Sequence, residues 1–133
     1  MKYVLDASSI YKIAESNRLE FIEDSITIDL ARYELGNAVL KDCAIHKRID
    51  AQKAQQLIGF LYELLDTIDK VSVTDSSGVM KIALNLKLSF YDAAYVYYSK
   101  SANLILVTED EKLAKKAKGH TRVISTEDLF SAL

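Results

Sequence analysis

The sequence contains no proline and only one cysteine, Cys43, among its 133 residues. Without proline, which removes a backbone donor, helices can run without interruption. A single cysteine excludes an internal disulfide, and together with the absence of a signal peptide it predicts a cytoplasmic protein. The two histidines, His46 and His120, have no Cys or His partner at metal-ligand spacing. This spacing argues against a zinc site.

The sequence also has no excess of basic charge and no long apolar run. Its net charge is −2 and its pI is about 5.7, so no overall positive field attracts nucleic acid. No apolar run approaches the roughly 18–20 residues of a membrane-spanning helix, so no membrane association is expected. Half of the residues are hydrophobic, 50%, which is enough for a core. We expect one domain over residues 1–133.

Short apolar runs alternate with longer helical patterns along the whole chain. The predicted strands are 2–6, 25–29, 68–73, 103–108 and 122–125. The predicted helices are 8–14, 18–24, 30–46, 51–66, 75–86, 90–101, 109–118 and 126–132. This alternation predicts an α/β fold, a three-layer α/β/α sandwich around a mostly parallel central sheet of four to five strands.

Four acidic residues lie in apolar sequence, at strand ends or on helix faces: Asp6, Glu34, Asp92 and Asp110. A buried, ionised carboxylate must be neutralised, paired or bound to a metal. Because Asp6 and Asp110 follow two strands of a parallel sheet, we expect them at one edge. Converging carboxylates repel one another, and Mg²⁺ or Mn²⁺, which prefer oxygen ligands, would relieve this repulsion. Such a pocket is typical of phosphodiester hydrolysis by metal-activated water.

The hydroxyl groups near two of these acids support this interpretation without proving it. Ser8 follows Asp6, and Thr108 precedes Asp110, so either hydroxyl could orient a ligand, a water or a phosphate. The same residues have a purely structural explanation. Asp6 or Ser8 could cap the first helix, and Thr108 could cap a later helix in a capping box with Glu111.

Glu34 and Asn37 are three residues apart and therefore share one helix face. That face is largely apolar, which suggests a carboxylate ligand supported by an amide. The alternative is a Glu34 at the solvent edge that pairs loosely with Arg32 or Lys41.

Ser89 and Asp92 fit a capping box, which would explain both residues without any catalysis. The chain contains the same pattern in Ser125-Thr126-Glu127-Asp128, with an ordinary acid. Asp92 differs because bulky apolar residues follow it.

Two further groups of residues have both a functional and a structural interpretation. Lys112, Lys115 and Lys116 form a basic patch beyond the last acid, which could hold RNA phosphates or simply be a solvated helix face. Tyr95, Tyr97 and Tyr98 could stack on bases or pack in a core or a dimer.

Four motifs in this order resemble the PIN domain family, and in particular the small toxin ribonucleases of VapBC toxin–antitoxin systems. The motifs are Asp-Ala-Ser after the first strand, Glu-x-x-Asn in a helix, Leu-Ser-x-Tyr-Asp-Ala-x-Tyr-Val and Leu-Val-Thr-x-Asp-x-x-Leu. The resemblance covers residues 3 to 123 and is strongest in 88–117.

The resemblance implies an endoribonuclease that uses Mg²⁺ or Mn²⁺. It assigns Asp6, Glu34, Asp92 and Asp110 to the catalytic metal site, with Ser8, Asn37 and Thr108 as supporting residues. It also implies an RNA substrate, a homodimer and a cognate VapB-type antitoxin.

Three alternatives stay open. One is a PIN-like nuclease of RNA processing, and another is a PIN-like module that binds RNA or protein without catalysis. The third is aspartyl phosphotransfer with Asp6 as nucleophile. Enzymes of the haloacid dehalogenase type carry a second acid two residues on, where this chain has Ser8.

Overall fold

The computed structural model describes residues 1–132, and within them a single five-stranded sheet forms the centre of the fold. The strands are β1 (Tyr3–Leu5), β2 (Ser25–Ile28), β3 (Asp69–Val71), β4 (Ile105–Val107) and β5 (Val123–Ile124). Their order is β3-β2-β1-β4-β5, and every neighbouring pair is parallel. The predicted α/β class and the parallel sheet are confirmed.

Seven α-helices connect or follow these strands within residues 1–132. They are α1 (Ala7–Glu15), α2 (Ala31–Ala44), α3 (Ala51–Asp66), α4 (Ser76–Leu86), α5 (Phe90–Ala102), α6 (Glu111–Ala117) and α7 (Thr126–Phe130). The helix predicted at 18–24 is wrong in type and length, because only a 3₁₀ turn forms there, at Leu19–Phe21. No helix of residues 1–132 has both the length and the apolar character needed to cross a membrane.

The sheet lies between two hydrophobic layers, as the three-layer prediction requires. Leu5 of β1 packs with α1, α2, α3 and α7, while its neighbour Val4 packs with α4, α5 and α6. This alternation follows from the strand period of two residues. Because β1 has β2 on one side and β4 on the other, the chain changes direction across the sheet at β1. In parallel sheets, ligands bind outside the carboxyl ends of the strands at such a point.

Candidate active site

A cavity of about 340 Å³ lies at the carboxyl edge of the sheet, outside β1 and β4. Its walls are formed by Asp6, Ala7, Ser8, Glu34, Asn37, Ala38, Lys41, Asp92, Tyr95 and Asp110. The structure therefore brings the four predicted acids to one cavity, together with Ser8 and Asn37. Thr108 lies beneath them and contacts Asp6. The catalytic and supporting roles of these residues remain predictions.

Asp6 is buried, and both of its carboxylate oxygens accept hydrogen bonds. Its Oδ1 accepts from Ser8 Oγ at 2.7 Å and from the Ser9 backbone N–H at 2.9 Å, so Asp6 is also the N-cap of α1. Its Oδ2 accepts from Thr108 Oγ1 at 2.5 Å. Burial raises the pKa of Asp6 even though these hydrogen bonds lower it. Asp6 therefore caps α1 and lines the cavity at the same time.

The hydroxyls of Ser8 and Thr108 tie the end of β1 to the end of β4. Besides contacting Asp6, Ser8 Oγ accepts from the Glu109 backbone N–H at 3.0 Å, and Thr108 Oγ1 accepts from the Asp110 backbone N–H at 3.1 Å. Both supporting residues therefore fix the backbone that carries the last acid of the cavity.

The alternative explanation of Thr108 as the cap of α6 does not apply. The helix begins at Glu111 and its N-cap is Asp110, whose Oδ1 accepts from the backbone N–H groups of Lys112 and Leu113 at 2.9 and 3.1 Å. Thr108 cannot cap the helix because it lies two residues earlier, with its hydroxyl directed to Asp6.

Glu34 is half-buried on α2 and is held by a tyrosine of α5. The Tyr95 hydroxyl donates to Glu34 Oε1 at 2.7 Å, and Tyr95 itself is fully buried. Burial raises the pKa of Glu34, and the charges of Asp6 and Asp92 raise it further. Burial and the Glu34 charge also raise the pKa of Tyr95 well above its usual range, so the phenol stays protonated and donates.

Two of the alternatives that the sequence left open are excluded for these residues, and the core packing considered for Tyr95 is confirmed. Glu34 forms no ion pair with Arg32, which lies 3.6 Å from Asp66 instead. Tyr95 cannot stack on a base, because its ring is enclosed in the core. The glutamate therefore points to the cavity rather than to the solvent edge.

Asp92 lies in the first turn of α5, where its backbone N–H donates to Ser89 Oγ at 3.1 Å. The predicted N-cap at Ser89 is confirmed. Asp92 is only half-buried, yet burial raises its pKa and the charge of Asp110 raises it further, against the opposing effect of Ser89 and Lys116. Asp92 and Asp110 both line the cavity.

Two residues of the cavity had not been predicted to belong to it, Lys41 and the hydroxyl of Tyr95. Both could have been found from helical spacing. Lys41 is seven residues after Glu34 and four after Asn37, and Tyr95 is three after Asp92, so each shares a face with a predicted site residue. Sequence alone left open whether those faces point inward.

The four carboxylates fit a hydrated divalent cation better than a tightly enclosed one. Within residues 1–132, no group of three or more His, Cys, Asp or Glu side chains is already arranged to hold a metal ion. However, Mg²⁺ usually keeps several waters and is bound by only one or two carboxylates. Burial raises the pKa of Asp6, Glu34 and Asp92, and neighbouring carboxylates raise the pKa of Glu34 and Asp92 further. An all-oxygen donor set of this charge suits Mg²⁺ or Mn²⁺.

The predicted basic patch on α6 divides into two kinds of lysine. Lys112 and Lys115 are exposed, while Lys116 Nζ donates to the Lys87 carbonyl at 2.8 Å and so joins α6 to the end of α4. Contact of these lysines with RNA remains a prediction.

The chain is similar in sequence to two named nucleases of one organism. No protein-family model matches the chain. Exonuclease VapC9 of Pyrobaculum aerophilum is 31% identical over 121 residues, which cover 90% of this chain and 88% of that protein. Ribonuclease VapC3 of the same organism is 32% identical over 128 residues, which cover 87% and 95%.

Solved structures show the same similarity. The crystal structure of PAE2754 from Pyrobaculum aerophilum superposes with a TM-score of 0.85 at 29% identity, covering 99% of this chain and 96% of that one. DNA-bound VapBC from Salmonella typhimurium has a TM-score of 0.69 at 13% identity, covering 94% and 98%. The second similarity concerns the fold alone.

Proposed function

Because the chain belongs to the VapC-type family of PIN-domain nucleases, we propose that it is a ribonuclease that cuts internal phosphodiester bonds, the toxin of a toxin–antitoxin pair. The observation that carries this proposal is the convergence of four carboxylates on one cavity at the carboxyl edge of a parallel sheet. The two curated relatives are named an exonuclease and a ribonuclease, so the mode of cleavage needs its own test.

The proposal includes Mg²⁺ or Mn²⁺ held by Asp6, Asp92, Asp110 and Glu34, directly or through water. Such an ion supplies a Lewis acid for the phosphoryl oxygens and makes water acidic enough to act as a nucleophile near neutral pH. No histidine lines the cavity, so the protein supplies no imidazole base there.

The chain's own residues position the substrate and the carboxylates. Ser8 and Thr108 hold Asp6 in one orientation, and Tyr95 does the same for Glu34. Lys41 is the cationic side chain of the cavity wall, and we assign it to the substrate phosphate. Asn37, one turn before it, is exposed and can donate to the same group. Together these side chains orient a phosphodiester against the acids.

Aspartyl phosphotransfer is disfavoured by the surroundings of Asp6. The position two residues after Asp6 is occupied by Ser8, whose hydroxyl donates to Asp6, where enzymes of the haloacid dehalogenase type carry a second acid. The absence of a preformed three-residue metal group in residues 1–132 favours a second candidate instead, a PIN-like module that binds RNA without cutting it.

The proposed partners are RNA, a VapB-type antitoxin and a second copy of the chain, in the cytoplasm. Several named neighbours are toxin–antitoxin complexes. Large apolar side chains are exposed on α4 and at the start of α5, including Met80, Leu84 and Tyr91, and Leu84 is 71% exposed. Because α4 packs against α5, a partner bound at these two helices could cover several of these side chains together.

A circular RNA tests both the activity and its mode, since a circle has no end at which an exonuclease can begin. Purified protein is incubated with labelled circular and linear forms of one structured RNA, with Mg²⁺, with Mn²⁺ or with EDTA. We expect both forms to be cut only with a divalent ion. Cutting of the linear form alone would make the enzyme an exonuclease. No cutting and no Mn²⁺ binding by calorimetry would favour the module that only binds.

A further inference from the structure

A second and larger cavity, of about 470 Å³, lies at the opposite, amino edge of the sheet. It is formed where α5 ends, where β4 begins and where the chain turns from α6 into β5. Its lining includes Lys100, Asn103, His120, Thr121 and Arg122, and it contains no Asp or Glu. The charge of this cavity is therefore opposite to that of the acidic cavity.

The basic side chains of this cavity have no acidic partners. The ion pairs of residues 1–132 join Arg18 to Glu20, Arg32 to Asp66 and Arg48 to Asp42, and none involves Lys100, His120 or Arg122. In a protein whose net charge is −2, two unpaired cations beside an imidazole are a local excess of positive charge. An anion entering the cavity would meet donors and no competing carboxylate.

The walls of the cavity are well-defined turns rather than loose loops. Asn103 closes α5 in a left-handed conformation, and its backbone N–H donates to the Lys100 carbonyl at 3.2 Å. Gly119 has a φ of +91°, which side chains other than glycine rarely adopt, and the His120 N–H donates to the Ala117 carbonyl at 2.9 Å. These turns hold the backbone of the basic residues in place.

We propose that this cavity binds a backbone phosphate of the RNA substrate, several nucleotides from the bond that is cut. The inference rests on the proposed function. The strand β4 runs from this cavity to the acidic one, so the two sites are separated by about 10 Å of strand plus side chains. Along the same path α6 runs from its N-cap Asp110 to Ala117, two residues before Gly119, with exposed Lys112 and Lys115 between. The acidic cavity repels the RNA backbone, and the cations of the basic cavity, at the other end of α6, would offset this repulsion by binding one of its phosphates.

The test compares Lys100→Ala/Arg122→Ala with the matched pair Lys53→Ala/Lys81→Ala, which removes two exposed cations from α3 and α4. Binding of a labelled single-stranded RNA in EDTA is measured over a range of KCl concentrations. Each phosphate that a variant no longer binds should lower the slope of log K against log salt by about 0.7. We expect this reduction in the first pair and not in the second.

Cleavage of substrates of two lengths supplies a second arm, with a divalent ion present. A dinucleotide reaches only the acidic cavity, so kcat/KM for it should be unchanged in Lys100→Ala/Arg122→Ala. For a long RNA, kcat/KM should fall. An equal fall for both lengths would mean that the cations act on the fold or on free anions, and it would overturn the proposal.

The remaining outcomes are also decisive. Cations near helix carboxyl ends stabilise the helix dipole, and Lys100 lies in the last turn of α5. If Lys100→Ala/Arg122→Ala lowers the Tm but leaves the salt slope unchanged, these two cations stabilise the helix and the phosphate site is refuted. The proposed function would still stand in that case, provided that the wild-type protein cuts RNA. A wild type that neither binds nor cuts RNA would instead refute the proposed function, and this inference with it.

Discussion

Two aspartates of this chain cap helices in the same way, and yet their pKa values are shifted in opposite directions. Asp75 caps α4, is exposed, and has a lowered pKa because the Gly78 N–H and the Tyr97 hydroxyl donate to it. Asp6 caps α1 with equally good hydrogen bonds, but burial raises its pKa. A cap at a helix N-terminus ordinarily favours the charged form. Burial, which Asp6 has and Asp75 lacks, therefore decides the direction of the pKa shift.

The same contrast separates the two edges of the sheet. At the carboxyl edge Asp6 is buried, Glu34 and Asp92 are half-buried and Asp110 is exposed. Hydroxyl groups of Thr108 and Tyr95 hold Asp6 and Glu34 in place. At the amino edge Lys100 and Arg122 are exposed and make no ion pair among residues 1–132. Phosphodiester chemistry needs carboxylates in fixed positions, whereas anchoring a flexible RNA backbone needs only charge near a cavity. The predictions below test this difference.

The largest expected effect separates Asp92 from its structural counterpart, Asp128. Both lie in the first turn of a helix, with their N–H donating to a capping serine. Asp92→Asn should lower kcat for RNA cleavage by about 10²–10³-fold or more, because it removes a proposed ligand of the ion that stabilises charge in the transition state, and loss of one such electrostatic interaction has this scale. Asp128→Asn should leave kcat unchanged.

Circular dichroism and thermal unfolding of both variants show whether the fold survives. Asp92→Asn removes a repulsive charge, so its Tm should equal or exceed that of the wild type when EDTA is present. If Asp92→Asn cuts RNA at the wild-type rate, Asp92 has no catalytic role.

The second prediction, with a smaller expected effect, compares loss of the hydroxyl group at Tyr95 and at Tyr98, two tyrosines on α5. Tyr95→Phe keeps the ring in the core and removes only the hydroxyl that holds Glu34. Loss of such a supporting hydrogen bond costs about 10–100-fold in metal affinity or activity. Tyr98→Phe removes a hydroxyl that does not line the cavity. Mn²⁺ affinity by calorimetry, measured without substrate, should weaken in Tyr95→Phe alone; equal affinities would mean that Tyr95 serves packing only.

A third prediction concerns the stability of the metal-free protein. The raised pKa values of Asp6, Glu34 and Asp92 mean that the folded state binds protons more tightly than the unfolded state. This stabilisation is complete below the unfolded pKa values and disappears as the pH rises through the folded ones. In EDTA, the free energy of unfolding should therefore fall as the pH rises from about 4, the ordinary carboxyl pKa, toward neutrality.

Denaturant unfolding across this range checks the sign, with two variants as controls. Asp92→Asn should flatten the decline, whereas Asp75→Asn should not, because a lowered pKa acts only at more acidic pH. At pH 7.5, Mn²⁺ at about 100 times its Kd should add about 2.7 kcal/mol. A metal-free stability that rises over this range would contradict the assigned shifts.

Helix bounds were predicted correctly from sequence spacing where only one residue was available to cap the helix. Asp50 caps α3 through the Lys53 N–H, and the predicted bounds of that helix, Ala51–Asp66, are confirmed. Spacing was not enough for α6, where two residues could serve as the cap. Thr108 was one candidate for the cap, but its hydroxyl donates to Asp6, 102 positions away, and Asp110 caps the helix. Sequence spacing cannot rank a local partner against a distant one.

The site shows the same limit. The order of strands, with β1 between β2 and β4, decides which strand ends meet, and no local pattern encodes that order. Lys41 and Tyr95 lie at predictable spacings from predicted residues, but only the packing of α2 and α5 turns them toward the cavity. The four acids could be singled out from the sequence because a carboxylate surrounded by apolar residues is costly to bury unless it is neutralised, paired or bound to a metal.

The smallest expected effect lies between the two edges, on α6. Lys112 and Lys115 are exposed and separate from the tertiary contact of Lys116, so Lys112→Ala/Lys115→Ala removes charge without loosening the helix. If RNA follows α6 from the acidic cavity to the basic one, this variant should lower the salt slope by about 0.7 for each phosphate that it no longer binds. Combined with Lys100→Ala/Arg122→Ala, the reductions should add, because the two pairs bind different phosphates. If only the α6 pair changes the slope, the RNA leaves the protein along the helix, and the two edges of the sheet do not share one substrate.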